Sequence, residues 1–439
     1  MKTIADVRII PGKSTVVACG PPGENRWGFY QFPDMWRAPG REIFLAMNVG
    51  HDCEIGQHEP SWLFVSRDDG KTWTRIPYEQ VDQSPPAVTF SDGSQVAFGE
   101  THYIYHVHSY GPYQQPWQWW RCKELGVEPC SGLIWDAYDN YQWLVYRYPD
   151  LPEKARQMPM AWRKSKNDPW QKGHCILDAP EMLLGGLGRP WWWDEKGNRM
   201  YEDIPPRIFR AWPRDVVVMP DDTLLWVYCS VHPASLGRKY MYWKVDLFAS
   251  TDRGRTWKHR GVIADDTDLT TDGYSGSEHS LQVMPNGDLY CVMRTELGDH
   301  QDSTQWLAAS RSTDGGFTWS KPVEIAPFSV TPIMFTLANG MVALTYGRPG
   351  VYVRASGDSG KTWTDALPVV GPSEAELMKD KWWKVRYDHI STNKISCGNL
   401  GAVVTGSDRF LLAYSDFHHR NEKGEDCKAV LVREFAIQP

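Results

Sequence analysis

The chain is predicted to be all-β, a single β-propeller of four-stranded blades, and three observations predict it. An eight-residue pattern, Ser-x-Asp-x-Gly-x-Thr-Trp, stands at Ser66–Trp73, Ser250–Trp257, Ser312–Trp319 and Ser356–Trp363. Short β-rich runs with turn residues at their centres recur between and around these copies. The spacing is that of a repeated supersecondary unit: 62 residues separate Ser250 from Ser312, and 44 separate Ser312 from Ser356.

The octapeptide has the chemistry of a β-hairpin turn. Its Ser and Asp side chains can accept from backbone N–H groups across the bend, its Gly supplies positive φ, and its Trp packs beneath. The strand pairs read equally directly. Leu281–Arg294 aligns with Val216–Cys229, and similar pairs surround Pro39-Gly40, Asp92-Gly93, Asp139-Asn140, Asn339-Gly340 and Ser407-Asp408. That makes seven inner hairpins, so seven blades are expected, with six the alternative. The 184 residues from Ser66 to Ser250 should hold two blades without a clean octapeptide, one of them carrying a degenerate copy at Ser165–Trp170. The N-terminal run from Val7 to Ala18 is expected to complete the last blade as a closing strand.

Since blades cannot stand alone, residues 1–439 are expected to form one domain. A net charge of -7 argues against binding nucleic acid or an anionic membrane through the bulk field. No stretch reads as a transmembrane span, and the first eight residues lack the apolar core of a secretion signal, so a cytoplasmic location is expected, with secretion the alternative if a signal has been removed. Nine cysteines show no CxxC and no metal spacing. Reduced, mostly buried thiols are expected, with no metal and no cofactor.

In each blade the strands run inner to outer, so the octapeptide joins the third strand to the fourth at the same end as the turn between the first two. Long connections fall at the opposite end: residues 49–61, 148–159, 180–209, 231–239, 265–277 and 370–394. A purely structural end needs no such length, so chemistry is expected there. Arg147, Arg294 and Arg348 follow their inner turns by similar distances, and three converging guanidinium forks suit a carboxylate-bearing ligand. Arg214 and His106 are further binding candidates. Among 23 tryptophans the cluster Trp191–Trp193, with Trp192 at its centre, is a candidate for stacking on a sugar face.

The octapeptide is the Asp-box, and on it the chain resembles the sialidase-like Asp-box propellers. Ser277-Glu278-His279-Ser280 precedes an inner strand, with Glu278 16 residues before Arg294. The resemblance implies that Glu278 activates a nucleophile, and that Arg294 and Arg348 belong to a substrate-carboxylate triad. Three departures accompany it. Where those proteins carry their first triad arginine, this chain reads Gln31-Phe32-Pro33-Asp34. Where they carry a nucleophilic tyrosine it reads Ile395–Leu400, leaving Tyr387 out of register as the nearest substitute. For their acid/base aspartate, Asp52 beside His51 is the candidate.

Three functions follow. One is an exo-glycosidase acting on an acidic terminal sugar of a glycan. Another is a lyase eliminating across a uronate, with His51, His102, His106, His108, His279 or Tyr387 as base. The last is a glycan-binding propeller without catalysis. An oligosaccharide is the expected partner in all three.

Overall fold

The computed structural model describes residues 7–38, 42–50, 61–77, 80, 87–98, 120–121, 126–135, 142–189, 191–193, 199–201, 207–208, 216–239, 241–265, 275–296, 306–328, 330–379 and 395–439. The fold is all-β, and the described strands group into six antiparallel four-stranded units.

Strand β1 (Arg8–Cys19) is followed by the first unit, β2 (Phe29–Arg37), β3 (Ile43–Val49), β4 (Trp62–Ser66) and β5 (Thr74–Ile76), hydrogen-bonded in that order. The second unit comprises β6 (Ala87–Thr89) and β7 (Gln95–Phe98), then, beyond a long insertion, β11 (Met158–Arg163) and β12 (Gln171–Asp178). The insertion contributes β8 (Trp120–Arg121), β9 (Ile134–Trp135) and β10 (Gln142–Arg147). The next connection carries β13 (Leu183–Arg189), β14 (Trp191–Trp193), β15 (Arg199–Tyr201) and β16 (Arg207–Ile208).

The remaining units are regular. The third is β17 (Val216–Val218), β18 (Leu224–Val231), β19 (Trp243–Ser250) and β20 (Thr256–Ala264). The fourth is β21 (Ser275–Val283), β22 (Leu289–Glu296), β23 (Leu307–Ser312) and β24 (Val323–Ala326). The fifth is β25 (Val330–Thr336), β26 (Val342–Gly347), β27 (Val351–Ser356) and β28 (Leu367–Val370). The sixth is β29 (Gly401–Val404), β30 (Arg409–Arg420) and β31 (Asp426–Gln438), with β1 outermost. Arg8 pairs with Gln438 and Cys19 with Ala429, so the N-terminal strand does complete the last unit.

The same backbone bond closes the inner turn of all six units. Residue i donates to residue i+4 at Ala38→Glu42, Phe90→Ser94, Met219→Thr223, Met284→Asp288, Leu337→Met341 and Thr405→Arg409. The hairpin expected around Asp139-Asn140 is built differently: β9 pairs with β10, but β10 continues onto β13 rather than into a third blade strand. It belongs to a sheet inserted within the second unit. The structure thus departs from the seventh inner hairpin read in the sequence, because a hairpin's residues specify its turn and not its outer partner. The second and third units are joined directly by parallel pairing of β12 with β20, and the inserted sheet meets the third unit through β13, which pairs with β10 and reaches β18 at Leu183–Val231.

Four Asp-boxes join third to fourth strands, as expected. In the first, Gly70 N donates to Ser66 Oγ at 2.8 Å, Thr72 N to Asp68 Oδ1 at 2.9 Å, and Trp73 Nε1 to the Gly70 carbonyl at 3.1 Å. The Ser and Asp bonds recur at Ser250–Thr256, Ser312–Thr318 and Ser356–Thr362. The degenerate copy occupies the matching place between β11 and β12, where Ser165 Oγ donates to Asp168 Oδ2 at 2.7 Å. The sixth unit carries no box for a topological reason: its fourth strand comes from the other end of the chain. Box glycines also serve packing. A Cβ on Gly70 would collide with Leu411 of the sixth unit, and one on Gly316 with Leu247 of the third.

Most of the core lies between units. Separate apolar clusters join the second to the third, third to fourth, fourth to fifth and fifth to sixth. A further one joins the first to the sixth through Met35, Leu45, Leu411 and Val430. Against the expectation of reduced thiols, Cys19 and Cys427 form a disulfide across β1 and β31. A separation of 408 residues hides that pair from any reading by spacing.

Candidate active site

Inner strands enter the fold, at the end away from the boxes, through irregular backbone. Register shifts interrupt the pairing of β2 with β3 between Phe29 and Asp34, of β21 with β22 at Ser277/His279, and of β25 with β26 between Val330 and Ile333. At those bulges Tyr30 (φ 56°), Phe32 (φ 52°), Glu278 (φ 23°) and Thr331 (φ 48°) hold left-handed backbone. Such conformations cost energy in residues with a Cβ and cluster where a side chain must be re-aimed.

Glu278 is re-aimed toward the next unit. Its Oε2 accepts from Thr331 N at 2.8 Å and Thr331 Oγ1 at 3.3 Å, and lies 3.3 Å from Nη1 of Arg294. Arg294 lies on the second strand of the same unit, two residues before its end, and is 8% exposed. The network continues sideways: Asn399 Nδ2 donates to Thr331 Oγ1 at 2.9 Å. Arg348, just beyond β26, donates from Nη2 to Asn399 Oδ1 at 3.4 Å and from Nε to the Cys397 carbonyl at 2.8 Å. Its guanidinium carbon lies 5.2 Å from the centre of the Trp27 ring. Among the described residues no carboxylate pairs with Arg348. The arrangement is therefore one carboxylate held by a buried arginine and a neutral amide, beside a second, half-buried guanidinium open to an anion.

Both runs that depart from the sialidase pattern border this mouth. Phe32 N lies 3.5 Å from Cys397 Sγ, which links the Gln31–Asp34 run to the Ile395–Leu400 run. Gln31 is wholly buried, and among the described residues neither atom of its amide has a hydrogen-bond partner. Ser396 and Ser415 share a bond at 3.1 Å behind Cys397.

The structure brings together Glu278, Arg294 and Arg348 from the candidate set. His279 turns away from them: it is 4% exposed, with Nδ1 3.5 Å from Cys229 Sγ of the third unit. Arg147 ends β10 on the inserted sheet and is exposed, so its equivalence to Arg294 and Arg348 does not hold. Trp192 lies in the small β14–β15 sheet, paired with Met200. His51, Asp52, His106, Arg214 and Tyr387 lie outside the described residues. The connection leading to Tyr387 starts on the helix Glu374–Lys379, which Arg354 and Tyr346 hold through Glu374, both at 2.6 Å. Thr331, Asn399 and Trp27 were not picked out in the sequence; no motif marks them.

Among the described residues no group of three or more His, Cys, Asp or Glu could hold a metal, and no helix is long and apolar enough to cross a membrane.

Comparison with known proteins bears out the resemblance to the sialidase-like Asp-box repeat proteins: the BNR repeat-like domain matches residues 214–377. A protein of unknown function from Dyadobacter fermentans is similar over 99% of this chain and 100% of its own, at 17% identity and a TM-score of 0.54. The Hadza microbial sialidase Hz136 aligns with 97% of this chain and 68% of its own at 12% identity and TM-score 0.45. An α-L-arabinanase from Penicillium chrysogenum, complexed with arabinobiose, covers 96% and 98% at 12% identity and TM-score 0.44. No curated protein matches the chain.

Proposed function

We propose that the chain is a single six-bladed propeller, and that it is a carbohydrate-active protein of sialidase type, an exo-glycosidase acting on an acidic terminal sugar of a glycan. The observation that carries the reading is Arg348: a guanidinium held by a carbonyl, an amide and an aromatic ring, with no acid beside it among the described residues, next to the Glu278–Arg294 pair. A carboxylate is the ligand group that completes such a fork bidentately. Glu278 then acts as the group that orients or activates the nucleophile, with its charge maintained by Arg294 and the Thr331 N–H. Ile395–Leu400 offers no tyrosine, so Tyr387 is proposed to supply the nucleophile and Asp52 the acid. A cytoplasm would keep Cys19 and Cys427 reduced; an oxidising compartment is proposed instead.

Incubating the protein with a panel of acidic oligosaccharides, read by mass spectrometry, tests this. Release of a terminal acidic monosaccharide with addition of water supports the glycosidase. An unsaturated product would replace it with the lyase, and binding without turnover with the glycan-binding reading. Equal turnover of neutral and acidic sugars would remove the role given to Arg348.

A further inference from the structure

The segment from Gly20 to Gly28 links the outer strand of the sixth unit to the inner strand of the first, and it is fastened along its length. Cys19 is bonded to Cys427 at its start, and Gly20 N donates to the Lys428 carbonyl at 2.8 Å. The Lys428 ammonium, 5% exposed, donates to the Arg26 carbonyl at 2.5 Å and lies 4.7 Å from the Phe417 ring centre. Trp27 follows. It is 9% exposed, set edge-on to Phe32 (5.8 Å) and Phe417 (6.2 Å), and it is the ring over which Arg348 lies.

We propose that this segment is a strap that positions Arg348: Trp27 is the surface against which the guanidinium is set, and Lys428, gripping the Arg26 carbonyl, holds Trp27 there. The proposal rests on the reading of Arg348 as the anion-binding group and adds how that group is held. A free arginine surrenders much rotamer freedom on binding, and one fixed beforehand does not. The groups facing Lys428 are Glu24 and Arg26 on the strap, Cys397 on the lead-in to β29 and the Phe417 ring on β30. Burial, opposed by Glu24 and Cys397, pushes the lysine down to about 8. The grip therefore loosens as pH rises through about 8, because a neutral amine is a weaker donor and loses its attraction to the ring. Stability moves the other way. Between about 8 and the ordinary lysine value of 10.5 the unfolded chain carries the extra proton, so raising pH favours the fold.

The test uses calorimetric binding of N-acetylneuraminic acid and of glucuronic acid to the intact chain, taking whichever the wild type binds. Trp27→Leu is expected to weaken binding about tenfold, the size of a desolvated cation–aromatic contact, and Trp27→Phe to restore most of it. Wild-type affinity should fall between pH values of about 7 and 9 without a fall in melting temperature, and Lys428→Met should flatten that profile. In ligand-free protein the Arg348 Nε–H resonance, assigned by its loss in Arg348→Lys, should be sharp in wild type and broadened in Trp27→Leu. Variants that bind as tightly as wild type, with the resonance unchanged, overturn the strap and leave the proposed function standing. A wild type that binds neither acid overturns the substrate reading; the resonance then decides the strap alone.

Discussion

The box turns and the mouth lie at opposite ends of the same sheets and use the same groups, carboxylates and hydroxyls on backbone N–H, yet they are wired differently. At a box, Asp68 takes its bonds from Ser66 and Thr72, residues two and four positions away. At the mouth, Glu278 takes its bond from Thr331, 53 positions on, and Asn399 reaches back 68 to Thr331. A box can form within its own hairpin. The mouth exists only once several units stand side by side, so it inherits its geometry from all of them.

The largest expected effect sharpens that contrast. Glu278→Gln should lower turnover by about 10²–10⁴-fold, as loss of an activating group does. It should also cost roughly 1–3 kcal/mol of stability, because Arg294, with its side chain 10% exposed, loses its charge partner. Steady-state kinetics and thermal denaturation together check both. Turnover within a few-fold of wild type would make Glu278 a structural partner of Arg294.

The disulfide should come next. Cys19→Ser together with Cys427→Ser is expected to lower stability by about 2–4 kcal/mol, since the bond closes a loop of 408 residues. Denaturation with and without reductant measures it. An unchanged midpoint would show that strand pairing alone closes the last unit.

Arg348→Lys should weaken binding of an acidic sugar by roughly 1.5–3 kcal/mol, a charge-assisted bond's worth, with little change in melting temperature. Methyl-esterifying the sugar should erase the difference between the two proteins. If the esterified sugar binds wild type as well as the free acid does, the fork has no carboxylate to hold.

The smallest effect belongs to the boxes. Asp68→Ala should cost about 1 kcal/mol and leave the activity of folded protein unchanged. Its pH signature has a definite sign. The Thr72 hydroxyl and N–H bonds hold the Asp68 carboxyl down at about 2, so the stabilisation is complete above the ordinary value of 3.8 and lost as pH falls through about 2. The variant should therefore lose stability less steeply in that acid window, as acid-titration circular dichroism would show.

What could be read in the sequence follows the same division. The boxes were legible because every bond spans four residues or fewer, and six inner turns because one i to i+4 bond closes each. Glu278 and Arg294 were legible because one hairpin carries both. Thr331, Asn399 and Trp27 were not, because what joins them is the placement of units that no local pattern encodes. Two residues misled for physical reasons. His279 neighbours Glu278 in sequence, but the bulge between Ser277 and His279 sends it into the seam beside Cys229. Arg147 follows a hairpin with the right residues, whose outer partner is β13.

The collision waiting at Gly316 makes each seam between units a lever. Leu247 of the third unit sits where a methyl group on Gly316 would have to go, at the box end. Gly316→Ala would drive a wedge into that seam, and sheets packed this closely transmit displacement rather than absorb it. Farther along the same seam stand Cys229 and His279, 3.5 Å apart, with Glu278 one residue beyond. Substitutions at the box end of such a chain reach the mouth at the other end through the seams between its units.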